Sequence, residues 1–160
     1  MGISYIQTGD LPKAIESLRH RIERTPNDYT LQYLLGKALI RSGVTPGERT
    51  FVEAKTALQK SIQRNPDFAS SHTDLAKLYL QENRVDDALT HLEKARKLDP
   101  KEKSAYSQLA LVYKRKGDSQ QANAMLKILN QLNDEDRTQN KRQRVRLVKE
   151  EPALSVPDQL

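Results

Sequence analysis

Alanine and leucine recur in this chain at a fixed interval of 34 residues. The two clearest columns are Ala54, Ala88 and Ala122, and Leu58, Leu92 and Leu126. A fixed period in this range is typical of a solenoid, because one unit cannot bury its apolar face alone and must stack on its neighbours. The sequence therefore predicts a repeat array whose function lies on an extended surface.

The apolar residues within each period are spaced as on helices. Leu75, Leu78 and Tyr79 share one helical face, and residues 88–98 carry a second. Between these runs, Asn83 stands where a helix can end on a left-handed residue and a new helix can begin. We therefore expect two helices per unit, and an all-α solenoid of antiparallel helix pairs.

The register divides the chain into repeats and a tail. The predicted segments are 1–28 (a truncated repeat), 29–68 (a repeat with six extra residues), 69–102 and 103–136 (complete repeats), 137–150 (a basic polar helix) and 151–160 (a disordered tail). The six extra residues lie between Gly43 and Ala54. There we expect the second helix to start early, with Thr45 as its N-cap and Pro46 in its first turn.

The chain begins within a repeat. We therefore expect it to be a segment of a longer protein, or to have its first helix completed by another chain. Each end of the array is atypical, as terminal repeats tend to be. End-to-end self-association is one consequence that we keep open.

Composition favours a surface-rich helical array over an enzyme with a thick core. Charged residues make up 30 % of the chain and aromatic residues 5 %, and there is no Trp. The absence of Cys excludes disulfides, thiolate zinc sites and thiol catalysis. No histidine pairs with another at metal-ligand spacing, and no Gly-rich phosphate loop occurs. We predict a protein without catalysis, metal or cofactor.

The sequence carries no sign of a membrane segment. No stretch approaches the roughly 20 apolar residues of a bilayer-spanning helix, and the N-terminus lacks the regions of a secretory signal. We expect a soluble protein, with the cytoplasm favoured. The compartment stays open, since an upstream signal outside this chain would make it periplasmic or secreted.

The repeat columns resemble the tetratricopeptide repeat, a 34-residue helix-turn-helix unit. That family places a bulky residue, a Leu, a small residue and an aromatic residue in the first helix. The matching residues are His72, Leu75, Ala76 and Tyr79 in one unit and Tyr106, Leu109, Ala110 and Tyr113 in the next. The resemblance covers residues 1–133 and implies a right-handed superhelix whose first helices line a concave face that binds peptides.

The outward columns of the first helices supply the candidate binding residues. They are Tyr33, Lys37, Arg41, Thr73, Lys77, Gln81, Gln108, Lys114 and Arg115. Because Lys and Arg dominate these columns, we predict a basic groove suited to an acidic or C-terminal carboxylate peptide. The alternative is that these cations only keep the solenoid in solution.

Some members of the family grip the acidic tails of chaperones with a clamp of Lys, Asn and Arg residues. In this chain only Lys37 matches the clamp, and Asp74 stands where it would repel a carboxylate. We therefore predict that the chaperone-tail clamp is absent.

Six basic residues and no acidic residue lie between Arg137 and Lys149. Such a run can bind phosphate or nucleic acid, but we favour a solvated capping helix, which explains the same run, because no aromatic residue interleaves it. We therefore favour a protein or peptide partner over nucleic acid. The favoured function is a non-catalytic interaction scaffold. The alternatives are the repeat segment of a larger multidomain enzyme or secretion or assembly factor, and a nucleic-acid accessory protein that uses the basic tail.

Overall fold

The computed structural model describes residues 10–150, without the side chains of Val145 and residues 147–150. Within this range the chain forms helices and no strand. The helices are α1 (Leu11–Arg24), α2 (Tyr29–Arg41), α3 (Arg49–Arg64), α4 (Ala69–Gln81), α5 (Val85–Leu98), α6 (Lys103–Arg115) and α7 (Ser119–Glu150). The predicted all-α fold class is therefore confirmed.

The helices pack as successive antiparallel pairs. α2 packs against α3, α4 against α5 and α6 against α7, and each pair stacks on the next. The first helices of the pairs (α2, α4 and α6) also contact one another, whereas no two second helices (α1, α3, α5 and α7) approach as closely among the helices described. The array is therefore a solenoid with the first helices on its concave face.

A left-handed residue follows the first helix of each pair. Gly43, Asn83 and Gly117 have φ angles of +89°, +58° and +78°. Glycine adopts this conformation without a steric penalty, and asparagine tolerates it better than most residues. The turn predicted at Asn83 is therefore confirmed, and the same device ends α2 and α6.

The extra residues of the second unit lie in a turn and at the start of α3. Seven residues (42–48) connect α2 to α3, whereas three connect α4 to α5 and α6 to α7, and α3 has 16 residues where α5 has 14. The expectation of an early helix start is correct, but Thr45 is not its N-cap. Gly47 has a φ of +95°, which is not helical, so α3 begins only after Glu48.

The small and large columns form the core between the helices. Ala54 and Ala88 are fully buried, as are Leu58 and Leu92. Gly36 lies so close to α3 that a Cβ atom there would stand 2.6 Å from Cγ of Leu58. The packing of each pair therefore depends on one helix carrying a small residue where the other carries leucine.

One hydrogen bond recurs at the start of each pair. The bulky residue early in the first helix donates to the carbonyl oxygen of the proline in the preceding turn. The three bonds are Gln32 Nε2 to Pro26 at 3.4 Å, His72 Nε2 to Pro66 at 2.9 Å, and Tyr106 OH to Pro100 at 2.9 Å. Each bond fixes the turn against the helix that follows it.

α7 continues without a break from Ser119 to Glu150. Its first half packs on α6, and the side chains from Asp134 to Arg144 are exposed. None of the helices between residues 10 and 150 contains an apolar stretch that could span a lipid bilayer. The tail predicted to be disordered, 151–160, and the first nine residues of the truncated first repeat lie outside the described residues.

Candidate functional site

The structure places the nine candidate residues on α2, α4 and α6, but at different depths. Lys37, Arg41, Gln81, Lys114 and Arg115 are exposed, and Lys77 and Gln108 are half-buried. Thr73 is only 1 % exposed, and its hydroxyl donates to the carbonyl oxygen of Ala69. Tyr33 is also buried, with its ring edge-on to Phe68 at 4.9 Å between centroids. Seven candidates therefore remain accessible to a partner.

One part of the concave face carries charges of both signs. Lys77 Nζ lies 2.7 Å from Asp74 Oδ1, and Glu102 accepts a hydrogen bond from Ser70 Oγ at 3.1 Å. A hydrogen bond of 3.0 Å to Tyr33 OH raises the pKa of Lys37 above its ordinary value, and the charges of Asp74 and Glu102 raise it further. We call Lys37, Asp74, Lys77 and Glu102 the mixed-charge cluster. The concave face is therefore not uniformly basic.

The C-terminal ends of the first helices form a second part of the face. Arg41 ends α2, Gln81 ends α4, and Lys114 and Arg115 end α6. Arg115 Nη1 donates to the carbonyl oxygen of Leu80 at 2.8 Å, which ties α6 to α4. We call Arg41, Lys114 and Arg115 the basic end. These cations also interact favourably with the helix dipoles, so part of their role is structural.

The array ends in an apolar groove between α6 and α7. Leu111 and Leu126 are 39 % and 45 % exposed there, and the groove has a volume of about 480 Å³. The equivalent residue Leu92 is fully buried because a further helix pair covers it. The groove is therefore the surface on which one more repeat would stack.

A pair of histidines, which sequence spacing did not reveal, lies between α4 and α5. The Nδ1 atoms of His72 and His91 are 2.9 Å apart, and the ring of His91 stacks on Tyr79. Burial lowers the pKa of both side chains, and the charge of His72 lowers that of His91 further. No group of three or more His, Cys, Asp or Glu side chains that could hold a metal occurs among the described residues. Through these contacts the pair contributes to the packing of α4 against α5.

The stacked helix pairs and the regular columns define an α-solenoid, a class that presents an extended surface for other molecules. A family model described as tetratricopeptide repeat matches residues 47–109. The predicted resemblance to the tetratricopeptide repeat is therefore confirmed over this segment of the chain.

Solved structures of MamA share this fold. One is 25 % identical with a TM-score of 0.72, and the alignment covers 86 % of this chain and 77 % of that one. A second is 26 % identical with a TM-score of 0.70 and covers 98 % and 75 %. MamA from Desulfovibrio magneticus RS-1, at 21 % identity and a TM-score of 0.71, covers 84 % and 73 % and shows the fold alone. No curated protein sequence matches the chain significantly.

Proposed function

We propose that the chain is a non-catalytic scaffold that binds a segment of a partner protein on its concave face. The observation that carries this proposal is the alignment of accessible polar side chains along three successive first helices. One row of equivalent positions along these helices contains Lys37 and Lys77. A second row, at the C-terminal ends of the helices, contains Arg41, Gln81 and Arg115. Proteins with tetratricopeptide repeats serve in general as interaction scaffolds, so the family supports the same function.

The charges of the face suggest the character of the bound segment. Acidic groups of the partner fit the basic end, because Arg41, Lys114 and Arg115 have no acidic residue among their aligned positions. The mixed-charge cluster instead fits a polar stretch, since Lys77 already forms an ion pair with Asp74. We therefore propose a segment that is acidic at one end only. The helices are formed before binding, which limits the ordering cost to the partner.

A photo-crosslinking experiment tests the concave face. Benzoylphenylalanine replaces Gln81 in one variant and Lys97, exposed on the second helix α5, in the other. A partner captured in native lysate through position 81 but not 97 supports the proposal. Equal capture at both positions, or capture only at 97, contradicts it.

Charge reversal then tests the basic end. The variant Arg41→Glu/Lys114→Glu/Arg115→Glu should lose the crosslinked partner. The matched control Arg64→Glu/Lys97→Glu/Lys127→Glu makes the same change on second helices and should retain it. Circular dichroism verifies that the first variant is folded, because Arg115 also binds the Leu80 carbonyl. Retention of the partner by both variants contradicts the acidic preference.

A further inference from the structure

A cavity of about 500 Å³ lies between α1 and α3, on the side of the array away from the concave face. Ile22, Leu35 and Ala57 give it an apolar floor, and Val52, which is 58 % exposed, stands at its edge. Arg49 and Lys60 contribute to its rim. We call this cavity the outer pocket. An exposed valine beside an apolar cavity is the kind of surface that commonly marks a binding site.

The repeat register explains why the cavity exists at this junction. Ala57 aligns with His91 in the next helix pair and with Met125 in the last one. In α5, His91 fills the equivalent space by its contact with His72. In α7, Met125 occupies the equivalent position and is only 7 % exposed. Alanine is too small to fill the same space, so the junction between α1 and α3 stays open. Protein interiors are otherwise close-packed, which makes the unfilled space beside Ala57 a specific feature of this junction.

The rim of the outer pocket carries an excess of positive charge. Arg19 is neutralised by Glu53, with Nε to Oε1 at 2.7 Å and Nη2 to Oε2 at 2.6 Å. Arg49 and Lys60 have no ion pair or hydrogen-bond partner within the part of the chain that the structure describes. Two cations beside an apolar floor attract a group that combines an apolar body with negative charge.

We propose that the outer pocket binds one large apolar side chain of an acidic segment from a partner protein. The apolar side chain enters against Leu35 and Ala57, and flanking carboxylates reach Arg49 and Lys60. An aromatic residue fits this role, because it buries a large area with few rotatable bonds. The site lies on the opposite side of the array from the basic end. One copy can therefore hold two partner segments at once.

A synthetic peptide tests the outer pocket directly. The probe is acetyl-Glu-Glu-Phe-Glu-Glu-amide, titrated into the ¹⁵N-labelled full chain and followed by amide chemical shifts. We expect shifts at Ile22, Val52 and Ala57 that persist in the variant Arg41→Glu/Lys114→Glu/Arg115→Glu, whereas shifts at Gln81 report the basic end and should be absent in that variant. The same peptide with Ala in place of Phe, or with Lys in place of Glu, should bind at least about tenfold more weakly. The absence of shifts at Ile22, Val52 and Ala57, or equal binding of the Ala or Lys peptide at these residues, would overturn the proposal.

Two variants separate pocket filling from charge. Ala57→Met fills the cavity and should fold, because Met125 stands at the equivalent position. Arg49→Gln/Lys60→Gln removes the charge from exposed side chains. Each should weaken the probe by about tenfold or more, whereas Arg64→Gln/Lys97→Gln should not. Unchanged affinity in either pocket variant would also overturn the proposal.

The concave-face variant Arg41→Glu/Lys114→Glu/Arg115→Glu should bind the probe normally at the outer pocket. The proposals for the two sites are therefore tested independently.

Discussion

His72 and His91 share a hydrogen bond in which the direction of donation is fixed. His72 Nε2 donates to the carbonyl oxygen of Pro66, so neutral His72 has a lone pair on Nδ1. His91 Nδ1 lies 2.9 Å away and must therefore be the donor. A second proton on His72 would occupy Nδ1 and place two N–H groups against each other. The nearby charges are Lys94, which lowers the pKa of His72, and Asp67 and Asp87, which oppose the lowering.

The histidine pair should make the stability of the fold depend on pH. Its pKa values are lowered in the folded state, so the unfolded chain binds protons more readily. The contribution to the free energy of unfolding is complete above about pH 6.5 and is lost as the pH falls through that value and below. Urea unfolding at pH 7.5 and 5.5 measures the loss. His91→Met should reduce the difference between the two, and exposed His20→Gln should not. An undiminished difference in His91→Met would assign it to other groups.

Gly36 is required by the close approach of α2 and α3. In Gly36→Ala the new Cβ would lie 2.6 Å from Leu58 Cγ and 3.2 Å from the Ala54 carbonyl oxygen. The helix-propensity gain of about 1 kcal/mol is outweighed by overpacking, and we expect a net loss of about 1 to 2 kcal/mol. Urea denaturation measures it. Combining the change with Leu58→Ala should cost less than the sum of the two single variants. Additive costs would rule out the clash as the cause.

Ser61 and Ser71 form a buried hydroxyl pair between adjacent units. Their Oγ atoms are 2.8 Å apart, and Ser61 Oγ also donates to the Tyr29 carbonyl oxygen at 2.9 Å. Ser61→Ala should cost about 1 to 3 kcal/mol, because it leaves the Ser71 hydroxyl buried without a partner. The double variant Ser61→Ala/Ser71→Ala should be more stable than Ser61→Ala alone. A double variant that is less stable would show that the hydroxyls contribute through other contacts.

The exposed half of α7 should be dispensable for the fold. Deleting residues 137–160 keeps Asp136, which pairs with Lys103, and removes side chains that are exposed from 137 to 144. We expect the melting temperature to change by less than about 2 °C, measured by circular dichroism. The deletion also tests the nucleic-acid alternative. Salt-dependent binding of DNA by the intact chain that disappears on deletion would favour that function over the scaffold.

The architecture was predictable because it depends on the spacing of small and apolar residues along the sequence. Ala88 and Leu92 stand in columns that repeat every 34 residues, and the structure buries both completely. Asn83 was predictable as a turn because few residues accept a left-handed conformation. The cap of α3 was predicted wrongly at Thr45, since Gly47 adopts a positive φ that interrupts the expected first turn.

The details of the surface depend on contacts between helices, which spacing does not encode. His72 and His91 are 19 residues apart, and only the packing of α4 on α5 brings them together. Asp74 was visible beside the candidate cations, but its ion pair with Lys77 depends on side-chain conformation. The outer pocket arises at one alanine, Ala57. That Ala57 leaves a space unfilled is seen only when the helix junctions are compared in three dimensions.

The bonds from Gln32, His72 and Tyr106 to the preceding prolines show what each repeat demands of its sequence. An amide, an imidazole and a phenol each donate to the carbonyl oxygen of the equivalent proline. The position therefore requires a hydrogen-bond donor of suitable length, and three unrelated side-chain types meet that requirement. Units can therefore diverge in amino-acid identity while their geometry stays the same. A chain whose repeats follow this requirement keeps the fold of other solenoids even when its sequence identity to them is low.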